Sequence, residues 1–233
     1  MKDFIKQRLK EDLNRYYQAK PNAISDKYQI GEYDDYDFDD YGFDDLDIID
    51  EPIKPSKKIS GDIKAFHGSP HKISNFSDEF VGGEEANDQE GPGIYFTTDS
   101  SDAVKYAEGG GYVYEVNLKV NNLVSNEPKS NLEYLTKPIT KLIKMNPNWK
   151  NVAKGYDEGL DDMVAQYIHM AQSEKEAFVA VYMNVYKENA TMFVRNMVKL
   201  GYDGLYLPMK DEGAHIVIYN PSLIRVVNSK QIN

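Results

Sequence analysis

The feature that most constrains this chain is a twenty-residue stretch whose charge density opposes a packed core. Between Glu32 and Glu51 stand eleven carboxylates (Glu32, Asp34, Asp35, Asp37, Asp39, Asp40, Asp44, Asp45, Asp47, Asp50 and Glu51) with no Lys or Arg among them. Tyr33, Tyr36, Phe38, Tyr41 and Phe43 are interleaved. Like charges at this density repel one another and oppose a packed core, so the segment reads as a disordered or partner-ordered arm. The Pro- and Lys-containing run Glu51–Lys58 reads as its linker. Ahead of it, Phe4, Ile5, Leu9, Leu13 and Tyr16 recur at helical spacing, which predicts a short amphipathic helix ending before Pro21.

The net charge of −11 is therefore local. Outside the arm, 27 acidic residues balance 27 basic ones, and the remainder is neutral. The expected organisation is an N-terminal helix, arm and linker over residues 1–58, and a folded domain over 59–233. With 41% hydrophobic residues the chain has enough apolar material for a core. The absence of cysteine excludes disulfide scaffolds, thiol nucleophiles and thiolate zinc sites, and four histidines leave little for another metal centre, so no metal is expected. No run of eighteen apolar residues occurs and Met1–Lys20 has no basic-then-apolar leader, so the expectation is a cytoplasmic protein without a membrane span.

Within the folded part, Ile63–His67 is a short β-type run ending in the turn signal Gly68-Ser69-Pro70. After the polar loop Val81–Pro92 comes the strand Gly93–Thr97. Asp99 or Ser100 can cap a helix through Ala107, and Tyr112–Val120 alternates as a strand. Leu132–Leu200 is mostly helical in pattern, with Met163, Tyr167 and Met170 on one stripe, Phe178, Tyr182 and Val185 on another, and Phe193 with Met197 before a Gly201 stop. Gly204–Leu207, His215–Tyr219 and Leu223–Val227 close the chain as strands. The sum is an α+β domain with strands at both ends and a helical insertion over about 121–200.

Two constellations could carry chemistry. In Phe66-His67-Gly68-Ser69-Pro70, a histidine at a strand end offers a ring nitrogen, and the glycine lets a ligand approach the backbone. A solvated turn histidine fits the same residues. Tyr95, in Gly91-Pro-Gly-Ile-Tyr-Phe-Thr, lies on a strand and Tyr106, in Ala103-Val-Lys-Tyr-Ala, on the following helix, so the two rings could hold a flat ligand between them. Core filling would use the same aromatics.

Taken in order, His-Gly-Ser, Gly-x-Gly-Ile-Tyr-Phe, Ala-x-x-Tyr-Ala and the strand Val113–Leu118 resemble the ADP-ribosyltransferase superfamily in its His-Tyr-Glu branch. That branch holds the diphtheria-type toxins, the poly(ADP-ribose) polymerases and the ADP-ribosyltransferase modules of phage polyvalent proteins, the last being the most similar in texture. Gly201-Tyr-Asp-Gly204 and Ile216–Ile224 are similar to the family's final elements. The resemblance covers Ile63–Val120 and Leu200–Val227, and leaves out Met1–Ser60 and most of Asn121–Lys199.

The resemblance implies a split antiparallel β-sheet core with NAD as co-substrate in the cleft between the half-sheets. His67 would bond a ribose hydroxyl, the Gly68 backbone would hold the carboxamide, and Tyr95 and Tyr106 would stack on the nicotinamide. Ser69 and Ala103 would complete the pocket, Ala103 replacing a serine of several relatives. The family's glutamate falls at His215 in this sequence, with Glu212 the nearest carboxylate that could supply its charge and Asp211 a weaker candidate. The implied activity is mono-ADP-ribosylation of a host macromolecule, a protein rather than a nucleic acid. Alternatives are an inactive binding module that engages a basic partner through its acidic arm, and an NAD glycohydrolase. The arm itself reads as a solvated tail, a dock for a basic protein surface, or a lid over the domain's own cleft.

Overall fold

A computed structural model describes residues 59–77, 91–107, 109–187, 189–209 and 213–232. The expected N-terminal helix, arm and linker, and Asp211 and Glu212, lie outside the described residues. The first strand, β1 (Ile59–Ser69), is followed by β2 (Ile94–Thr97), helix α1 (Ser100–Tyr106) and the long strand β3 (Tyr112–Ser125). A 3₁₀ turn at Glu133–Leu135 leads into α2 (Thr136–Lys144), α3 (Trp149–Ala153), α4 (Leu160–Met170), α5 (Glu174–Asn184) and α6 (Ala190–Lys199). Strands β4 (Gly204–Pro208), β5 (Ala214–Ile218) and β6 (Ile224–Gln231) complete the domain.

Alternation explains the sheet. On β3, Tyr114, Val116, Leu118 and Val120 are buried while Asn117 and Lys119 face out, the period of two that a half-covered strand requires. β3 pairs antiparallel with β1 from Ile59↔Leu123 to Ser69↔Tyr112, and with β6 along its N-terminal half. A second triplet sets β5 between β2 and β4, both antiparallel. Two short joints link the triplets: a single bridge between Phe66 and Thr97, and a parallel contact of Leu123–Ser125 with Gly204–Tyr206. The sheet is thus divided into two halves. That parallel joint departs from the expected all-antiparallel pairing, because β3 runs five residues beyond Val120 and meets β4 travelling the same way.

The longer β3 also moves the insertion. Its helical part runs from Glu133 to Lys199 rather than from about 121, and it packs as one apolar layer: Ile139, Leu142 and Ile143 of α2, Met163 and Tyr167 of α4, Phe178, Val181 and Tyr182 of α5, and Phe193 and Met197 of α6 are buried. Met170, expected on the α4 stripe, is exposed instead, at the last residue of its helix. Glu174 ties the layer to the sheet. Its carboxylate accepts the Ser125 N–H at 2.9 Å and the Tyr134 hydroxyl at 2.5 Å, and pairs with Lys129 at 2.7 Å. Deeper, the Tyr186 hydroxyl donates to Leu142 O at 2.7 Å and accepts from the Asn196 amide at 2.8 Å.

Gly201-Tyr-Asp-Gly204 has a structural role at the parallel joint. Asp203 accepts the Asn121 and Asn122 N–H groups at 2.6 and 3.0 Å, which fastens the start of β4 to β3. Gly204 has φ +158°, and a Cβ there would stand 1.8 Å from Val217 O, so no other residue fits that crossing.

Candidate active site

The two half-sheets and α1 converge where β1 ends. His67 is half-buried on the same face as Ala65, opposite Tyr114 of β3. Its ring meets Phe76 edge-on at 5.2 Å and Phe96 at 5.6 Å between centroids. His67 Nδ1 lies 2.7 Å from the carbonyl of Tyr95. A carbonyl only accepts, so Nδ1 carries the proton and donates, and the lone pair sits on Nε2. Burial pushes the His67 pKa below its ordinary value, with the Tyr95 carbonyl opposing, so the ring is held neutral. Hence His67 presents one fixed acceptor nitrogen, and the same bond locks β1 to β2.

Gly68 shows why a glycine follows. A Cβ built on it would lie 1.9 Å from Ala103 O and 2.9 Å from the Tyr106 Cβ. The backbone of β1 therefore presses directly onto α1, and the missing side chain brings His67, Ala103 and Tyr106 into one neighbourhood. Ala103 is fully buried under this contact, whereas Tyr106 is 49% exposed. Ser69 is buried, its hydroxyl accepting the His71 N–H at 3.2 Å. α1 begins as the sequence predicts: Asp99 caps it, its Oδ1 accepting the Ser101 N–H and hydroxyl, each at 2.8 Å.

On the other half-sheet, Tyr95 is half-buried and its hydroxyl donates to Gly91 O, closing the Gly91–Gly93 turn against its own strand. Tyr95 lies opposite Val217, and Thr97 opposite His215, so Tyr95 and His215 share a face, diagonally related across the β2–β5 ladder. Thr98 clamps the same ladder, its N–H donating to Ala214 O at 2.9 Å and its hydroxyl accepting the Ala214 N–H at 2.8 Å. Tyr219 is buried, and among the described residues its hydroxyl has no hydrogen-bond partner; burial pushes its pKa far up, so it stays a neutral phenol.

His215 is paired. Its Nε2 lies 2.9 Å from Oδ2 of Asp102 on α1, and the other carboxylate oxygen of Asp102 lies 3.2 Å from Lys105 Nζ. Asp102 carries no signal in the sequence that marks it as part of this site. An acid in the first turn of a helix ordinarily serves the helix dipole, and nothing along the chain announces a partner 113 residues away. His71 and His169 are exposed.

A family model described as "ADP-Ribosyltransferase in polyvalent proteins" matches residues 61–232, most of the chain and all of the sheet beyond the first two residues of β1. The chain belongs to this ADP-ribosyltransferase family. The match spans the helical insertion as well, which the sequence motifs left uncovered. The family assignment brings an ADP-ribosyltransferase fold and NAD as co-substrate. No curated protein matches the chain. A solved structure described as the crystal structure of an anti-CRISPR protein is similar over 76% of this chain and 100% of its own, at 16% identity and a TM-score of 0.35; a likeness that distant carries no argument. Among the described residues, no helix is long and apolar enough to cross a membrane.

Proposed function

We propose that the chain is a mono-ADP-ribosyltransferase that cleaves the bond between nicotinamide and ribose in NAD and passes ADP-ribose to a host protein. The observation that carries this reading is the junction at Gly68, where β1 closes on α1 while the neighbouring His67 bonds β2. The junction sets a fixed acceptor nitrogen beside the half-exposed ring of Tyr106, groups that the ribose and nicotinamide of a dinucleotide can use.

In this reading His67 Nε2 accepts a ribose hydroxyl, the backbone at Gly68 and Ser69 holds the carboxamide, and Tyr95 and Tyr106 flank the nicotinamide, with Ala103 forming the floor. The tautomer of His67 supports its role, because an Nδ1 committed to Tyr95 O leaves Nε2 to bond the substrate. As the glycosidic bond breaks, its electron pair leaves on the nicotinamide nitrogen and positive charge grows on the ribose carbon. The acceptor's nucleophilic atom bonds that carbon and loses its proton. A group that compensates the developing charge lowers the barrier, and His215 or Glu212 stands for it in this chain.

The test is nicotinamide release from NAD by the purified protein, with and without bacterial lysate. Release that rises with lysate, accompanied by a labelled acceptor, is the expected result, and His67→Ala and Tyr95→Ala should each abolish labelling. Unchanged labelling in either variant refutes the assigned pocket, and lysate-independent release identifies a glycohydrolase. A second reading, an inactive binding module, is favoured by His215 standing where the family places glutamate. Under it the protein releases no nicotinamide, and the acidic arm engages a basic protein surface or the domain's own cleft. Phage or mobile-element origin and action in the host cytoplasm belong to the same proposal.

A further inference from the structure

The unusual residue at the family's glutamate position does not act alone. His215 leaves only 15% of its side chain exposed, and Asp102 only 5%. At 2.9 Å the His215 Nε2–H donates to the Asp102 carboxylate, a charge-assisted bond across two elements that meet only in the folded domain. The place of Asp102 on α1 is set by its neighbour: Ala103 is pinned under Gly68, one residue from His67. His215 is placed on the other half-sheet by its register with Thr97 and Leu207. The bond therefore spans from α1 to β5 at the junction of the half-sheets.

Charge decides what this pair can do. A neutral imidazole compensates a developing cation poorly, whereas a neutral imidazole hydrogen-bonded to a carboxylate forms a unit of net charge −1, the same as a glutamate. The carboxylate places a proton on Nε2, and in the neutral ring Nδ1 is then the unprotonated nitrogen. Lys105 neutralises part of this charge, but its side chain is 59% exposed and its effect is screened by solvent.

We propose that Asp102, brought in from α1, is the source of negative charge at this site, and that it acts through His215 as a positioning residue in place of a glutamate on β5. The inference rests on the transferase reading and names the charged group of that same site.

The first measurement is the tautomer of His215 in the protein without NAD, read from nitrogen-15 shifts of the imidazole. A proton on Nε2 with Nδ1 unprotonated is expected; a proton on Nδ1 alone overturns the pair whatever the protein does with NAD, and a ring protonated at both nitrogens at the assay pH, which with the carboxylate carries no net charge, overturns the charge role. The second is nicotinamide release by Asp102→Asn, His215→Gln and the double variant, each with its thermal midpoint. The glutamine keeps a donor for the Asp102 carboxylate, and the thermal midpoint separates a loss of folding from a loss of turnover. Asp102→Asn is expected to lower kcat by about 10²-fold, the scale of removing one electrostatic stabiliser, with a KM for NAD changed by less than about three-fold. Because one residue acts through the other, the double variant should be no slower than the slower single one. Additive losses, or an Asp102→Asn enzyme as fast as wild type, overturn the proposal. A wild-type protein with the expected tautomer that releases no nicotinamide overturns the transferase reading and the charge role with it, while leaving the pair itself in place.

Discussion

Gly68→Ala is the most discriminating single substitution in this domain. The added methyl would sit 1.9 Å from the Ala103 carbonyl oxygen and 2.9 Å from its carbonyl carbon, against the roughly 3.4 Å of ordinary carbon–oxygen contact. Both atoms are backbone, so no rotamer change relieves the clash, and α1 and the end of β1 must separate by more than 1 Å. Overpacking of this kind costs about 1–3 kcal/mol, which for a domain of this size lowers Tm by about 2–12 °C. The functional loss should be larger. Asp102, Ala103 and Tyr106 all ride on α1, so the His215–Asp102 bond lengthens and the aromatic wall shifts; a displacement of about 1 Å at such a site costs about 10²-fold in rate. Nicotinamide release per folded molecule, calibrated by a thermal melt, separates the two effects. Ala103→Gly should not rescue the variant, since the clashing atom is the main-chain oxygen and not the Ala103 methyl. A Gly68→Ala protein with wild-type Tm and wild-type turnover would refute the close approach of β1 to α1, and with it the reason given for a glycine there.

Other consequences follow from the same geometry. Because burial lowers the pKa of His67 in the folded state, the unfolded chain takes up a proton at that residue as pH drops through about 6.5 while the native one resists; the associated stability is present above that pH and is lost below it. A Tm series from pH 8 to 5 should therefore fall less steeply for His67→Gln than for wild type, and parallel slopes would contradict a buried neutral ring. Glu174→Gln leaves the Lys129 ammonium without its counter-charge; breaking a buried pair costs about 3–5 kcal/mol, and with Lys129 23% exposed about 2–3 kcal/mol is expected in urea unfolding. Gly204→Ala should cost more than about 3 kcal/mol, combining a 1.8 Å approach to Val217 O with a left-handed backbone, and soluble protein of normal stability would argue against the β4–β5 crossing described here. Deleting residues 1–58 is expected to leave the melting of the remaining domain unchanged, and a large drop in Tm would make the arm part of the fold.

Much of this domain is legible because its signals are local. The period of two in Tyr114–Val120, the Asp99 cap and the Gly201 stop each report a conformation decided within a few residues, and β2, α1 and β5 lie within a residue or two of where the sequence placed them. β1 and β3 run beyond their expected extents because pairing decides their ends: Gly61 and Asp62, ahead of Ile63, pair with Val120 and Lys119, and Leu123–Ser125, beyond Val120, pair with Gly204–Tyr206 of β4. Met170 was assigned to the core because periodicity continues to a helix end whether or not anything lies opposite.

The candidate site divides in the same way. The motif residues His67, Gly68, Ser69, Tyr95, Ala103 and Tyr106 could be marked from the chain alone, since each stands in a short pattern of fixed spacing, and the acidic run of Glu32–Glu51 located the charge imbalance without any coordinates. What only the tertiary structure decided is how those residues are wired. Gly68 is required by a helix more than thirty residues further on, His67 is held neutral by burial and has its tautomer fixed by a carbonyl of another strand, and His215 draws its carboxylate from Asp102 on the far side of the insertion. The physical reason is range: torsional preference and hydropathy act between near neighbours in sequence, whereas steric exclusion, desolvation and ion pairing act between whatever atoms the fold brings within a few ångströms.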